Sequence, residues 1–232
     1  WNKLMDYVFS PHPQVSVPVV GLAARFPVHR VYCVGRNYAD HVAEMGGDPK
    51  SEPPVFFSKP ASALVTDGAP VRYPQATTDL HHEVELVVAL AGGGCDLSMA
   101  EAAACVFGYG VGIDFTRRDL QAIAKKHGRP WDTSKGFDQS APLSALTTTA
   151  DFSPSTDTVI SLTVNGEVRQ TATLGQMIWH VAEIIQQLSM LFELRAGDII
   201  YTGTPAGVAA TVKGDKLCAE ISGLNVLDFE II

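Results

Sequence analysis

The sequence predicts one α+β domain that is rich in strands and contains only a few short helices. Three features favour this class: short apolar or alternating runs bounded by proline or glycine, one clear hairpin, and a few helical segments with their own caps. The chain has 232 residues, enough for one large domain with a sizeable core. No internal repeat or linker divides it. We therefore expect an N-terminal arm over residues 1–28, punctuated by prolines, and a single domain over residues 29–232.

The predicted strands are short runs with strand-like composition. "FGYGVGIDF" alternates with period two, and "TVISLTVNGEVRQTA" places Asn165-Gly166 between two strand-like runs, which is a strong hairpin signal. The remaining predicted strands are apolar runs bordered by turn residues. They are "VYCVG" at 31–35, "PPVFFSKP" at 53–60, "LHHEVELVVAL" at 80–90, "RAGDIIYTGTPAGV" at 195–208 and "KLCAEISGLNVLDFEII" at 216–232.

Four helices are predicted from caps and from spacing. "DLSMAEAAACVFG" begins with Ser98 and Glu101 spaced as a capping box, and "TRRDLQAIAKKHG" has Thr116 and Asp119 at the same spacing and Gly128 as a stop. "NYADHVAEMGG" is a short helix that ends at two glycines. "LGQMIWHVAEIIQQLSMLFEL" carries an apolar stripe of about three turns over residues 177–188.

Composition excludes several classes of protein. A formal net charge of -8 argues against a nucleic acid partner, since phosphate binding needs a basic face. No apolar stretch approaches the roughly 20 residues of a membrane helix, and Pro18 interrupts the one apolar segment near the N-terminus. The four cysteines are scattered, which is typical of a reducing compartment. We expect a cytoplasmic protein without membrane or nucleic acid partners.

Two acidic side chains stand at the beginning of an apolar strand. Glu83 and Glu85 are two residues apart and share a face in a strand, whereas Val84, Leu86 and Val88 supply the core from the other face. Acidic side chains are rarely buried unless they are paired or bind a metal. The pair therefore predicts either a metal site or ion pairs with Arg or Lys.

A third carboxylate lies on a strand face that is otherwise stripped to glycine. In "GYGVGIDF" Asp114 shares a face with three glycines, which suggests room for something that is not protein. Three oxygen ligands favour Mg²⁺, Mn²⁺ or Ca²⁺ over zinc, and no H-E-x-x-H is present. His81 and His82 are more typical of orienting or packing roles. Ion pairing at the strand ends stays open as the alternative.

Other polar residues are candidates for catalysis or binding. His41 and Glu44 are three apart in a predicted helix, so a carboxylate can orient the imidazole as a base, although a surface His-Glu pair is the common alternative. Lys135 lies in the predicted loop "RPWDTSKGFDQSAP". Its side chain is either solvated, as is usual for a loop lysine, or contacts an anion. "YTGTPAGV" is either an ordinary turn or a cradle for a carboxylate.

Seven ordered blocks resemble the fumarylacetoacetate hydrolase superfamily, most closely its acylpyruvate and fumarylpyruvate hydrolase branch, over residues 30–232. The blocks are "GRNYADHVAEMG", "PPVFFSKPASALV", "DLHHEVEL", "GYGVGIDFTRRDLQ", "GRPWDTSKGFDQSAP", "VNGEVRQ" and "GDIIYTGTPAGV". The resemblance implies a β-rich α+β fold with a mixed-sheet roll, a homodimer, and one Mg²⁺ or Mn²⁺ in each site.

The resemblance also implies roles for individual residues. The metal ligands fall on Glu83, Glu85 and Asp114, and the catalytic dyad on His41 and Glu44. The remaining catalytic and substrate-binding positions all carry the expected residue type. They are Lys135, Gln121, Arg118 and Thr204.

The implied reaction is hydrolysis of the C–C bond of an acylpyruvate. His41 would activate water, Lys135 and Gln121 would donate to the oxyanion, and residues 46–54 would form a lid over the site. Four cations cluster in and after one predicted helix, either as a solvated helix face or as the contact for a second carboxylate on the substrate: Arg117, Arg118, Lys126 and Arg129. In the second case Arg129 is the expected contact and Arg118 lies at the pyruvyl end. Fumarylpyruvate, from aromatic catabolism of the gentisate type, is the expected substrate. Decarboxylation or isomerisation of oxaloacetate-like or enol-keto diacids, and a non-catalytic metal-binding role, remain alternatives.

Overall fold

The computed structural model describes residues 6–38 and 52–232. The fold is strand-rich α+β, as predicted. The strands in these residues are, in chain order, β1 (Ser16–Pro18), β2 (Arg25–Pro27), β3 (Val31–Gly35), β4 (Val55–Lys59), β5 (Leu64–Val65), β6 (Leu80–His82), β7 (Val84–Leu90), β8 (Val106–Ile113), β9 (Thr116–Arg117), β10 (Ala141–Pro142), β11 (Thr147–Thr148), β12 (Val159–Val164), β13 (Glu167–Thr173), β14 (Ile199–Tyr201), β15 (Ala209–Thr211), β16 (Lys216–Ile221) and β17 (Leu227–Glu230). The helices are α1 (Met99–Ala104), α2 (Arg118–His127), α3 (Asp132–Lys135) and α4 (Val181–Ser189), with 3-10 turns at Ala61–Ala63 and Leu174–Gln176.

A six-stranded mixed sheet in the order β11-β8-β7-β14-β3-β4 forms the centre of the molecule. Only the pairing of β14 with β3 is parallel in it. A four-stranded sheet (β13-β12-β16-β17) and a three-stranded sheet (β15-β6-β9) accompany it, and β1-β2 and β5-β10 form two small pairs. None of the described helices is long and apolar enough to cross a membrane.

Strand β7 is buried on both faces and connects two hydrophobic clusters. Val84, Leu86 and Val88 pack in the larger cluster, which confirms the predicted core face. Val87 and Ala89 point to the other side and pack in a second cluster. This second cluster also takes in side chains from residues 17–28, so part of the predicted N-terminal arm packs against the core.

Several local predictions are confirmed in detail. The hairpin joins β12 to β13 through Asn165 (φ +53°) and Gly166 (φ +82°), the left-handed pair that a tight antiparallel turn requires. Ser98 and Glu101 form the predicted capping box of α1. Gly128 ends α2 with a φ of +61°. The short-range signals in this chain therefore agree with its tertiary structure.

Two predicted helices form but begin differently from the prediction, each for a tertiary reason. The Thr116 hydroxyl does not cap α2, because it donates to the Glu83 carboxylate at 3.0 Å, and Arg117 occupies the N-cap without a side-chain bond. The helix expected over 174–194 forms only from residue 181 to 189. Asn37 holds the preceding segment extended: its side chain bonds both the N–H and the carbonyl of Trp179.

The space beside the strand glycines of β8 is filled by protein, which corrects the interpretation of that face as cleared for a ligand. A Cβ on Gly112 would lie 2.5 Å from a ring carbon of Tyr201, and one on Gly108 would lie 2.3 Å from the Thr147 carbonyl oxygen. These glycines allow close approach of neighbouring strands and of the Tyr201 ring. Asp114 still lies at the end of this face, but its role cannot be argued from the glycines.

Candidate metal centre and active-site cavity

Three carboxylates meet at the point where the chain passes from one sheet to another. Glu83 lies between β6 and β7, which belong to different sheets, and Glu85 follows in β7 opposite Gly112. Asp114 follows β8, where its N–H donates to the Glu83 carbonyl at 2.8 Å. Carboxylate oxygens of all three residues lie within 4.8 Å of one another, and all three residues are buried. Adjacent antiparallel strands thus bring together acids that are about 30 residues apart in sequence.

Two of the three carboxylates are paired with cations. Lys135 donates to Glu83 at 2.8 Å and to Asp114 at 2.5 Å, and Arg118 lies 2.5 Å from the other oxygen of Glu83. Burial would raise the pKa of Glu83, but Lys135 and Arg118 outweigh it and hold that pKa well below its usual range. Burial would likewise lower the pKa of Lys135, but Asp114 and Glu83 raise it above its ordinary value. Lys135 is a buried residue of the short helix α3 and not a solvated loop lysine.

A second buried lysine, Lys59 at the end of β4, supports the same carboxylate. Its ammonium lies 2.8 Å from Asp114 Oδ1 while it donates to the backbone carbonyls of Phe115 and Lys135. Two of its three ammonium hydrogens go to those carbonyls, and its contact with Asp114 is an ion pair. Lys59 therefore holds Asp114 and the end of α3 together.

Glu85 has no cationic partner among the described residues. It is 1% exposed, and its carboxylate accepts one bond, from the Gly203 N–H at 2.7 Å. Burial, Asp114 and Glu83 raise the pKa of Glu85 well above its ordinary value. Ion pairing accounts for Glu83 and Asp114, but it leaves this third acid unbalanced.

The residues present fit a divalent cation of the Mg²⁺ or Mn²⁺ type. The donor set consists of hard carboxylate oxygens, Glu85 lacks a counter-charge, and Asp114 Oδ1 accepts no hydrogen bond from the described residues. A bound ion would compensate the buried charge that the lysines leave over. His82, next to Glu83 in sequence, is buried, and its Nδ1 lies 3.0 Å from the Gln170 Oε1. Its role in packing or orientation stays a prediction.

Two of the three carboxylates, those of Glu83 and Glu85, line the floor of a cavity of about 480 Å³. Gln121 lines it, and Arg118 NH1 donates to the Gln121 Oε1 at 2.6 Å, which leaves the amide N–H groups available to a ligand. Thr204 lines the opposite side, and its hydroxyl accepts from Gln170 at 2.8 Å, so its own hydrogen is free to donate. Phe57 and Trp131 form an apolar wall. The cavity therefore combines a charged floor with oriented neutral donors.

Gln170 is a supporting residue that the sequence argument did not identify. Its amide oxygen accepts from the Val84 N–H at 3.1 Å, and its amide nitrogen donates to Thr204 and to the Pro205 carbonyl. Gln170 thus links the acidic strand to the turn that carries Thr204. Its inward position in the alternating strand "EVRQTAT" was a usable signal. For Lys59, the signal was a lysine inside an apolar strand.

Three other predicted residues are not among the described groups that line this cavity. His41 and Glu44, and most of the predicted lid, lie outside the described residues, so their roles stay predictions. Arg129 is exposed and lines a neighbouring cavity of about 380 Å³. That cavity shares Phe57, Trp131 and Lys135 with the first one. The role of Arg129 as a substrate contact stays a prediction.

Comparisons with known proteins agree with this geometry. The model of the family described as "Fumarylacetoacetate (FAA) hydrolase C-terminal" matches residues 30–232. The chain is similar to a crystal structure of fumarylpyruvate hydrolase from Pseudomonas aeruginosa in complex with Mn²⁺ and pyruvate, with 46% identity, a TM-score of 0.93, and coverage of 98% of this chain and 99% of that one. It is 40% identical to a fumarylpyruvate hydrolase of a Ralstonia species, over 79% of this chain and 95% of the relative. It is 41% identical to an oxaloacetate tautomerase of Escherichia coli, over 88% and 93% respectively.

Proposed function

We propose that this chain, which belongs to the fumarylacetoacetate hydrolase family, hydrolyses the C–C bond of an acylpyruvate in a metal-dependent reaction. The substrate that we propose is fumarylpyruvate, which gives fumarate and pyruvate. One observation carries the proposal: two acids of a buried acidic triad, one of them unbalanced, line a cavity that also contains hydrogen-bond donors, in a chain that is 46% identical to a fumarylpyruvate hydrolase bound to Mn²⁺ and pyruvate.

In this proposal, different residues bind the metal ion and stabilise the developing negative charge. Glu83, Glu85 and Asp114 would hold the metal ion, which when bound supplies Lewis acidity toward the enolate charge of the pyruvate product. Lys135 and Gln121 provide N–H donors at the floor and side of the cavity, where the attacked carbonyl develops negative charge.

Substrate binding and water activation fall to other groups. The Thr204 hydroxyl, held by Gln170, and the Arg118 guanidinium bind the pyruvyl carboxylate in this proposal. His41, oriented by Glu44, takes a proton from the attacking water. The Phe57 and Trp131 rings exclude solvent from the acyl side.

A second activity is supported by the relatives. An oxaloacetate tautomerase of Escherichia coli and a mitochondrial oxaloacetate decarboxylase of Dictyostelium discoideum are 41% and 37% identical to this chain. Tautomerisation and decarboxylation of oxaloacetate need groups that stabilise an enolate, but neither reaction needs an activated water. The described part of the site contains that floor, so tautomerisation or decarboxylation of oxaloacetate is the alternative that we keep. A non-catalytic metal-binding role is the remaining one.

One panel of assays separates these activities. Pyruvate release from fumarylpyruvate and acetylpyruvate, and enol–keto conversion and decarboxylation of oxaloacetate, are measured with metal and with EDTA. We expect fumarylpyruvate to be cleaved fastest, and Glu83→Ala or Asp114→Ala to abolish cleavage without unfolding. Glu230→Gln, on an exposed acid of β17, is the matched control. Full hydrolysis in EDTA, or oxaloacetate turnover without any acylpyruvate cleavage, would contradict the proposal.

We also propose a homodimer in the cytoplasm. Size-exclusion chromatography with light scattering tests the first of these, and fractionation of the source cells tests the second.

A further inference from the structure

The rim of the active-site cavity carries two cations that the reaction described above does not use. Arg36 follows β3 and Lys125 lies in the last turn of α2, and both line the cavity that has Glu83 and Glu85 at its floor. Neither has a carboxylate within ion-pair distance among residues 6–38 and 52–232, whereas Arg118 and Lys135 in the same cavity are both paired. Two cations that line the same cavity and have no acidic partner among the described residues are suited to bind an anion.

The backbone at Arg36 and the Lys125 side chain both lie near the Trp131 ring. Arg36 has a φ of +57°, which is uncommon for a residue with a side chain and is typical of functional sites. The adjacent Gly35 passes close to Trp131: a Cβ there would lie 3.7 Å from its ring. The Lys125 ammonium lies 5.3 Å from the centre of the same ring. Trp131 therefore lies beside the Lys125 ammonium and next to the backbone that carries Arg36.

The charges of the two cations act on each other. Partial burial lowers the pKa of Lys125, and Arg118 and Arg36 lower it further, while Glu83 opposes them. Cations that repel one another in this way are stabilised by an anion between them. The cavity floor already provides for the pyruvyl end of a 2-oxo acid, so a rim anion would be at the other end of the same molecule.

We propose that Arg36 and Lys125 form a subsite for the distal carboxylate of a dicarboxylic substrate, with Trp131 packed against the intervening chain. This inference rests on the proposed function for the identity of the substrate, and it adds the residues that select it. The subsite differs from the predicted contact at Arg129, which lines the neighbouring cavity.

The test uses two non-cleavable ligands with the carbon count of fumarylpyruvate. 2-Oxoheptanedioate ends in a carboxylate, and 2-oxoheptanoate ends in a methyl group. Their affinities for the Mn²⁺-loaded protein are measured by calorimetry. We expect the dicarboxylate to bind about 10-fold more tightly or better, the share of one charge-assisted contact at a partly solvated site.

Variants locate the preference. Lys125→Gln and Arg36→Gln should each narrow the ratio of the two affinities, and Lys125→Arg should keep it. Lys126→Gln, one residue further along the same helix and outside the cavity, is the matched control and should leave the ratio unchanged. Circular dichroism and the melting temperature check that each variant is folded.

The outcomes are distinguishable from those of the hydrolysis assay. A preference that is lost in Lys125→Gln and Arg36→Gln supports the subsite, even if no acylpyruvate is cleaved, in which case only the proposed function fails. The absence of a preference in the wild type, or its survival in both variants, would overturn the subsite. Loss of the preference in Arg129→Gln alone would also overturn it, and would move the recognition site to the neighbouring cavity.

Discussion

The substitution Glu85→Gln tests the unbalanced carboxylate most directly. The amide keeps the shape of the side chain and can still accept from the Gly203 N–H, but it removes the charge. In the metal-free protein this removes repulsion, because burial, Asp114 and Glu83 act on Glu85 more strongly than Lys135 does, and no described cation is paired with it. In the metal-loaded protein it removes a ligand. The variant should therefore be more stable than the wild type without metal and less stable with it.

The magnitudes follow from the geometry. At a separation of 4.8 Å two unit charges repel by about 3 kcal/mol with an effective dielectric constant of about 20. Lys135 neutralises part of the charge on the other two acids, so we expect a gain of about 1–2 kcal/mol for the metal-free variant. With metal at about 100 times its dissociation constant, the wild type gains about 2.7 kcal/mol, which the variant lacks. For a chain of this size each kcal/mol shifts Tm by about 2–4 °C.

The sign of the pH dependence is also fixed. A carboxyl whose folded pKa is raised contributes stability below its ordinary pKa of 4.5 and loses it as pH rises toward the folded value. The metal-free wild type should thus lose stability relative to Glu85→Gln as pH increases above about 4.5. The advantage of the variant should be larger at pH 8 than at pH 5.

Thermal unfolding of both proteins, with EDTA and with Mn²⁺, measures all four states. Glu230→Gln serves as the control for loss of one surface charge. The reasoning is refuted if Mn²⁺ stabilises Glu85→Gln as much as the wild type, because Glu85 is then not a ligand. It is also refuted if the metal-free variant is the less stable protein at pH 8, because the charge of Glu85 is then balanced by the fold.

Three further predictions concern the base, the support of the site and the close strand contact. His41→Ala should lower hydrolysis about 10²–10⁴-fold while calorimetry finds metal affinity unchanged; an equal loss of any oxaloacetate decarboxylation would assign His41 to binding instead. Gln170→Leu should lower the free energy of unfolding in urea by about 2–4 kcal/mol and raise KM, because the buried groups that bond Gln170 lose their partner. An unchanged KM would show that Gln170 does not support the site. Gly112→Ala should destabilise by about 1–3 kcal/mol, since its Cβ would collide with Tyr201; Gly92→Ala, with only ordinary contacts around its Cβ, is the control, and equal effects would contradict the packing argument.

Local sequence determined the features whose cause lies within a few residues. The Asn165-Gly166 turn, the Ser98 capping box and the Gly128 stop appear as predicted, because each depends on backbone preferences and on bonds inside one segment. The alternation at the start of β7 likewise identified Val84, Leu86 and Val88 as core residues, although the opposite face of the strand is buried as well. The two acids at its start, with Asp114, were predicted as metal ligands from residue type, strand spacing and family resemblance, and the structure brings the three carboxylates together.

Only the tertiary structure decided what surrounds those acids. Lys59, Gln170, Arg36 and Lys125 belong to elements far apart in the chain, and no local pattern shows that they converge on one cavity. Long-range contacts also explain why two local predictions differ from the structure. The Thr116 hydroxyl bonds Glu83 instead of capping α2, and Asn37 holds the segment before α4 extended. The glycines of β8 were explained wrongly for a related reason: a missing side chain signals close approach, but the sequence does not say whether a ligand or a neighbouring ring comes close. Side-chain charge and backbone preference are properties of the chain, whereas the partner of a buried charge is set by which strands the fold places side by side.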